Sequence, residues 1–283
     1  MDIIKTLADE LSIGRHQAEA AVKLIDEGNT IPFIARYRKE ATGSLNDEVL
    51  RTLDERLKYL RGLQDRKKQV IATITDQGKM TAELERQILS AATLVAVEDF
   101  YRPYKPKRRT RAAIAHEMGL EPLADLILLQ AVKEPVEQAA ASYISWEKGV
   151  ETAQDAVQGA MDILAERISD NAVYRTWIRN MTMNKGLLQS AAKDESVKSV
   201  YETYYNYEEP VKKAAGHRIL ALNRGEGEKI LSVKVVPLVD QIVGYLEKQV
   251  ITRDNPYTSP VLKTVVKDSY DRLIGPSVER VIR

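Results

Sequence analysis

The chain has 283 residues, 44% hydrophobic and 29% charged, with no cysteine and a formal net charge of +1. That length allows about two domains, each large enough to bury its own core, and that composition argues against a long disordered tract. The absence of cysteine excludes disulfides, thiolate nucleophiles and Cys-based zinc sites, and the near-zero charge excludes a global pull toward polyanions, so any such attraction must come from local clustering.

The opening MDIIKTLADE carries acids and no long apolar run, and nowhere do about eighteen apolar residues follow one another, so a cytoplasmic protein with no membrane span is expected. Ile4, Leu7 and Leu11 form an apolar stripe, Ser12 to Gly14 break it, and Ala18, Ala21, Val22 and Ile25 resume at helical spacing. Gly28-Asn29 stops the second helix, and Pro32 suits the first turn of a third. This helix-turn-helix-like unit could read a DNA groove, although a small packing module is the commoner outcome.

From Asn46 to about Thr75 the spacing of Leu50, Leu53, Leu57, Leu60, Val70 and Ile74 predicts a long amphipathic helix. Its Arg56, Lys58, Arg61, Arg66, Lys67 and Lys68 alternate with acids and read as a solvated face. Gly78 breaks the helix, and Leu84, Ile88 and Leu89 form a second stripe, so a helical hairpin is expected. Glu98-Asp99 read as partners for Arg102 or Lys105.

Next comes the strongest local charge: six of the ten residues in Arg102-Pro103-Tyr104-Lys105-Pro106-Lys107-Arg108-Arg109-Thr110-Arg111 are basic and none is acidic. Pro103 and Pro106 favour an extended path from which Arg and Lys can fan out along phosphates, with Tyr101 and Tyr104 available to stack on bases. The competing reading is a structural strap whose guanidinium groups pair with acids on neighbouring helices.

Further helices follow: Thr110 to Met118 closed by Gly119, starts near Pro122 and Pro135, and Thr152 to Ile168 with Ala156, Ala160, Ile163, Leu164 and Ile168 on one face. Asp170 reads as the cap of the next helix, which offers Val173, Trp177 and Met181 to a core. Around Gly186 the texture changes, since Leu187-Leu188 and Ile230 to Val236 have strand character and Gly225 and Gly227 mark a turn. The tyrosine-rich stretch Tyr201 to Tyr207 could stack bases, but packing on a core is the commoner use of such rings. After Pro260, Val261, Leu262, Val265, Val266, Tyr270, Leu273 and Ile274 are helical again. The expected fold is mainly α and multi-helical, with a small β element near 186–236, divided at 1–75, 76–185 and 186–283.

No constellation points to catalysis. His16, His116 and His217 lie about a hundred residues apart, outside any metal-ligand spacing, and no G-x-S-x-G elbow or P-loop is present. The stretch Arg224 to Lys229 reads as a turn whose acids would repel phosphate. No metal, no cofactor and no enzymatic activity are expected.

Five segments together resemble a known family: Ile31 to Gly43 (IPFIARYRKEATG), Glu98 to Arg111 (EDFYRPYKPKRRTR), Ala160 to Asp170 (AMDILAERISD), His217 to Glu226 (HRILALNRGE) and Asp268 to Arg280 (DSYDRLIGPSVER). They are similar to signature segments of the bacterial Tex proteins, transcription accessory factors related to a eukaryotic transcription-elongation and histone-chaperone protein. The resemblance implies the N-terminal helical region of such a protein, with further domains expected beyond Arg283: a YqgF-type ribonuclease-H-like domain, helix-hairpin-helix elements and an OB-fold RNA-binding module. It implies a non-catalytic scaffold associated with nucleic acid, or alternatively a module that docks on the transcription machinery without touching nucleic acid. The residues expected to contact RNA or DNA, weakly and without sequence preference, are Arg102, Tyr104, Lys105, Lys107, Arg108, Arg109 and Arg111, joined by Arg36, Arg38 and Lys39.

Overall fold

The computed structural model describes residues 2–283, and helix dominates it, as the apolar periodicity predicts. Two compact units are present, one ending at Tyr101 and the other spanning Arg102–Arg283.

In the first unit, α1 (Ile3–Leu11), α2 (Arg15–Asp26) and α3 (Ile31–Tyr37) precede the long α4 (Asp47–Asp76). Asp2 caps α1 by accepting from the Lys5 amide, and Asn46 caps α4 by accepting from the Val49 amide at 2.9 Å, each satisfying a donor that the first turn leaves unpaired. Leu50, Leu53, Leu57 and Leu60 of α4 bury against Leu7, Ala18, Ala21 and Ile34. α5 (Ala82–Ser90) packs back along α4, with Ile88 buried, and α6 (Leu94–Tyr101) completes the unit.

Three expectations change here. Leu89 is exposed rather than part of the buried stripe. Lys67 is not on a solvated face: it is 4% exposed, its Nζ donates to the Leu89 carbonyl at 2.6 Å, and burial pushes its pKa down. One free carbonyl at the end of α5 compensates the burial of that ammonium group. Glu98 pairs with Arg66 at 2.6 Å.

The second unit is built around α10 (Ala153–Asp170), whose Ala156, Ala160, Ile163, Leu164 and Ala165 are buried. Thr152 and Asp155 close a capping box at its start, each side chain bonding the other's amide. Against it lie α7 (Arg111–Glu117), α8 (Glu121–Leu129), α9 (Val136–Ala140), α11 (Ala172–Lys185) and α14 (Ser259–Asp268), while α13 (Val239–Val250) packs on α14 and α11; from α14 a π-helical turn at Ser269–Ile274 leads into α15 (Gly275–Ile282). The cap of α11 is Asn171, which accepts from the Val173 and Tyr174 amides; Asp170 instead remains in α10 with its carboxylate directed elsewhere. Val173 is exposed, whereas Trp177 and Met181 do pack on the core.

The small sheet has the order β2-β1-β3, with β1 (Leu187–Ala192) antiparallel to both β2 (Asn206–Pro210) and β3 (Leu231–Val236). Leu188 stands opposite Val235, and both join Leu222, Leu231 and Val233 in a cluster that also buries Tyr201. Gly225 and Gly227 lie inside the last turn of α12 (Gly216–Gly227), and the reversal comes just after it, at Lys229 with φ +62°.

Candidate nucleic-acid interface

Arg102–Tyr104 forms a single 3-10 turn, and Lys105 to Thr110 then runs without regular structure to the side chain of Thr110, which caps α7 by accepting from the Ala113 amide at 3.0 Å. The two prolines keep helix from forming between these points. What fixes the path is the C-terminal end of α10. Lys107 Nζ reaches Glu166 Oε1 at 2.8 Å and also bonds Asp170, while Arg102 Nε lies 3.2 Å from the second oxygen of Asp170. Asp170 is only 12% exposed in its side chain, so these pairs are less screened than surface ion pairs.

The ten-residue segment therefore divides. Arg102 and Lys107 are tethers; Lys105 and Arg108 are exposed and have no carboxylate within ion-pair distance among the described residues. Arg109 is 3.7 Å from Glu117, with both side chains largely in solvent. Arg111 opens α7 and its field opposes the effect of burial on Asp162, whose pKa burial raises and Arg272 and Arg111 lower. Tyr104 is half-buried. Tyr101, expected to be free for stacking, is buried in the first unit with the Arg66 guanidinium 5.2 Å from its ring centre. Behind the segment lies a cleft lined by Lys107, His116, Glu121, Glu166, Arg167 and Asp170, in which opposite charges largely cancel.

Arg36, Arg38 and Lys39 belong to the other unit, on and just after α3, and all three are exposed. Arg38 lies 5.6 Å from the Phe33 ring centre. His16, His116 and His217 are each exposed, and His116 faces Glu121 at 3.4 Å. Sequence reasoning missed Glu166 and Asp170 as the tether, because the residues paired lie 59 and 63 positions apart and no short-range pattern carries that information. It also missed the exposed rings of Phe33 and Tyr37, which the sequence showed only as part of the segment Ile31 to Gly43.

Fold and surface together define a multi-helical protein with a small antiparallel sheet and a basic segment pinned to its central helix. Residues 1–75 match the family model described as "Tex-like protein N-terminal domain", and residues 131–255 match that described as "Tex central region-like". The chain is 46% identical over 280 residues to "Uncharacterized protein YdcI" of Bacillus subtilis, an alignment covering 98% of this chain and 39% of the relative. It is 43% identical over 235 residues to "Transcriptional accessory protein Tex" of Neisseria gonorrhoeae, covering 82% of this chain and 31% of that one. A human relative, "S1 RNA-binding domain-containing protein 1", is 31% identical over 299 residues, covering all of this chain and 30% of its own length. The chain belongs to the Tex family, and it spans well under half the length of these relatives. Among the described residues no helix is long and apolar enough to cross a membrane.

Proposed function

We propose that this chain is a non-catalytic helical scaffold of a Tex-like transcription accessory protein, and that it contacts nucleic acid weakly and without sequence preference through the pinned basic segment. One observation carries the reading: Lys107 and Arg102 hold the segment to α10, and Lys105 and Arg108 stand in solvent beside Arg109 with no acid paired to the first two among the described residues. Cations placed this way can replace counterions on a phosphate backbone at little conformational cost, because the path of the chain is already fixed. The names of the relatives, one transcriptional and one RNA-binding, agree with this. Between Lys105 and Thr110 the basic stretch has no regular structure, and only Arg111 lies on an α-helix, so specificity is not expected from it.

A second reading, docking on the transcription machinery, draws on exposed apolar surface in the second unit, where Trp146 is 74% exposed beside the exposed Ile144. Titration of oligonucleotides at several salt concentrations separates the two. With Lys105, Arg108, Arg109 and Arg111 as about four phosphate contacts, log affinity should fall against log salt with a slope of about −3 to −4. Lys105→Glu, Arg108→Glu and Arg109→Glu together should abolish duplex binding without changing the melting temperature. Undiminished duplex binding by this triple variant would remove the basic segment from the function and leave the docking reading.

A further inference from the structure

The third helix of the first unit exposes two aromatic rings side by side. Phe33 is 38% and Tyr37 64% exposed, one turn apart on α3, with ring centres 5.3 Å apart. Residues four apart on a helix share a face, so this pair forms one surface, and burying neither ring leaves apolar area in water that a stable monomer gains nothing by displaying. Around the rings stand Arg36, Arg38 and Lys39, none of which makes an ion pair among the described residues. Beside them a shallow groove is lined by Pro32, Ala35, Arg36, Lys39, Asp47 and Arg51; its one acid, Asp47, is neutralised by Arg51 at 2.6 Å, so Arg36 and Lys39 set its sign.

The turn that carries Lys39 is held in place. Gln17 of α2 donates to the Gly43 carbonyl at 2.9 Å, the Ser44 amide donates to the Lys39 carbonyl at 2.7 Å, and Gly43 has φ +60° with the Gln17 side chain where a Cβ would stand. The cations are thus presented on a rigid support, which lowers the ordering cost of binding.

We propose that this face of α3 is a second nucleic-acid contact, specific for single strands, in which the Phe33 and Tyr37 rings stack on unpaired bases and Arg36 and Lys39 take the adjoining phosphates. It lies in a different unit from the basic segment and does not rest on that segment's role. Exposed rings flanked by unpaired cations complement a ligand that is both anionic and planar, and a single strand offers both on successive nucleotides. A duplex fits less well: its bases are already stacked, and α3 has seven residues with no side chain able to pair bidentately with a base edge except arginine.

The test uses the 283-residue chain, a labelled single-stranded oligonucleotide and the blunt duplex of the same sequence. Phe33→Ala/Tyr37→Ala should weaken single-strand binding about 10- to 100-fold, leave the salt slope unchanged and alter duplex binding less than twofold. Tyr37→Ala alone, at the more exposed ring, should give a loss of about tenfold with no change in melting temperature, and Tyr37→Trp should retain affinity. Arg36→Glu/Lys39→Glu should reduce the magnitude of the single-strand salt slope by about 1.4. An unchanged single-strand affinity in Tyr37→Ala overturns the proposal, as does equal loss on strand and duplex. A Tyr37→Ala protein that keeps its oligonucleotide affinity but loses a protein contact also overturns it, by making this face a protein-docking surface. The triple variant of the basic segment serves as the control that tells the two sites apart: binding lost only there leaves the first site standing and this one refuted.

Discussion

At the level of single residues, Lys107 shows how a basic cluster can serve structure and function together. Its ammonium group sits between Glu166 and Asp170, and removing it would take that ion pair from Glu166 and leave Asp170 with Arg102 alone near the end of α10. The cost should exceed that of a fully exposed pair, about 0–1 kcal/mol, and fall short of the 3–5 kcal/mol of a buried one. Lys107→Ala is therefore expected to lower stability by about 1–3 kcal/mol in denaturant titration. Lys105→Ala, with no partner to lose, should lie within about 0.5 kcal/mol of the parent. Equal effects at the two positions would refute the division into tether and presented cation. The composition of residues 102–111 made the cluster visible in the sequence, but which of its cations face solvent depends on α10, and that was not legible. The same holds for Lys67, whose type reads as a surface residue and whose ammonium group finds its partner only through the return of α5.

At the level of elements, the close approach of α7 and α8 to α10 depends on small residues. Ala112 and Ala115 of α7 and Ala156 and Ala160 of α10 are buried in one cluster, and at Gly159 an added Cβ would lie 2.4 Å from Cδ1 of the fully buried Leu120. A closely packed interior cannot absorb that displacement without shifting a rotamer or a helix. Gly159→Val should consequently cost about 1–3 kcal/mol, because overpacking outweighs the small gain in helix propensity of valine over glycine. Circular dichroism melts would detect it, and an unchanged melting temperature would show that Leu120 repacks freely. The helices themselves were legible, because a 3.6-residue apolar period survives in α2, α4, α10 and α14 whatever they pack against. β3 was legible from its alternation and its valines, and β1 only from Leu187-Leu188 after Gly186. β2 was not: Asn206-Tyr207-Glu208-Glu209-Pro210 contains two acids and a proline, and only an edge position, with one side unpaired, tolerates that composition. The cap of α11 was misread by one residue, since Asp170 and Asn171 are both good caps and only the demand of Lys107 for a carboxylate distinguishes them.

For the molecule as a whole, net charge near zero conceals opposite charges that are matched over long separations, and this makes the first unit sensitive to acid. Arg56 binds both oxygens of Glu10, with Nη2 at 2.7 Å, and so joins α4 to α1; Arg61 binds both oxygens of Asp26 at 2.7 Å and joins α4 to α2. Hydrogen bonds from these guanidinium groups hold both carboxyl pKa values below their usual range. A carboxylate whose folded pKa lies below its unfolded pKa contributes stability that is complete above the unfolded value and disappears as pH falls through the folded one. With unfolded values of about 4.3 for Glu and 3.9 for Asp, that contribution should be present above about pH 5 and decline below about pH 4. Both pairs are partly exposed, so screening limits each to about 1 kcal/mol. Arg56→Gln/Arg61→Gln should therefore lower the stability of this unit by about 1–2 kcal/mol at pH 7 and low salt, with the difference from the parent shrinking as pH falls below about 4. Amide hydrogen exchange of α1, α2 and α4 measures that stability separately from the second unit, in which both tryptophans, Trp146 and Trp177, reside. A difference that persists undiminished at low pH would mean that the arginines act through their alkyl chains, such as the packing of Arg56 on the Tyr59 ring at 4.6 Å, and not through charge.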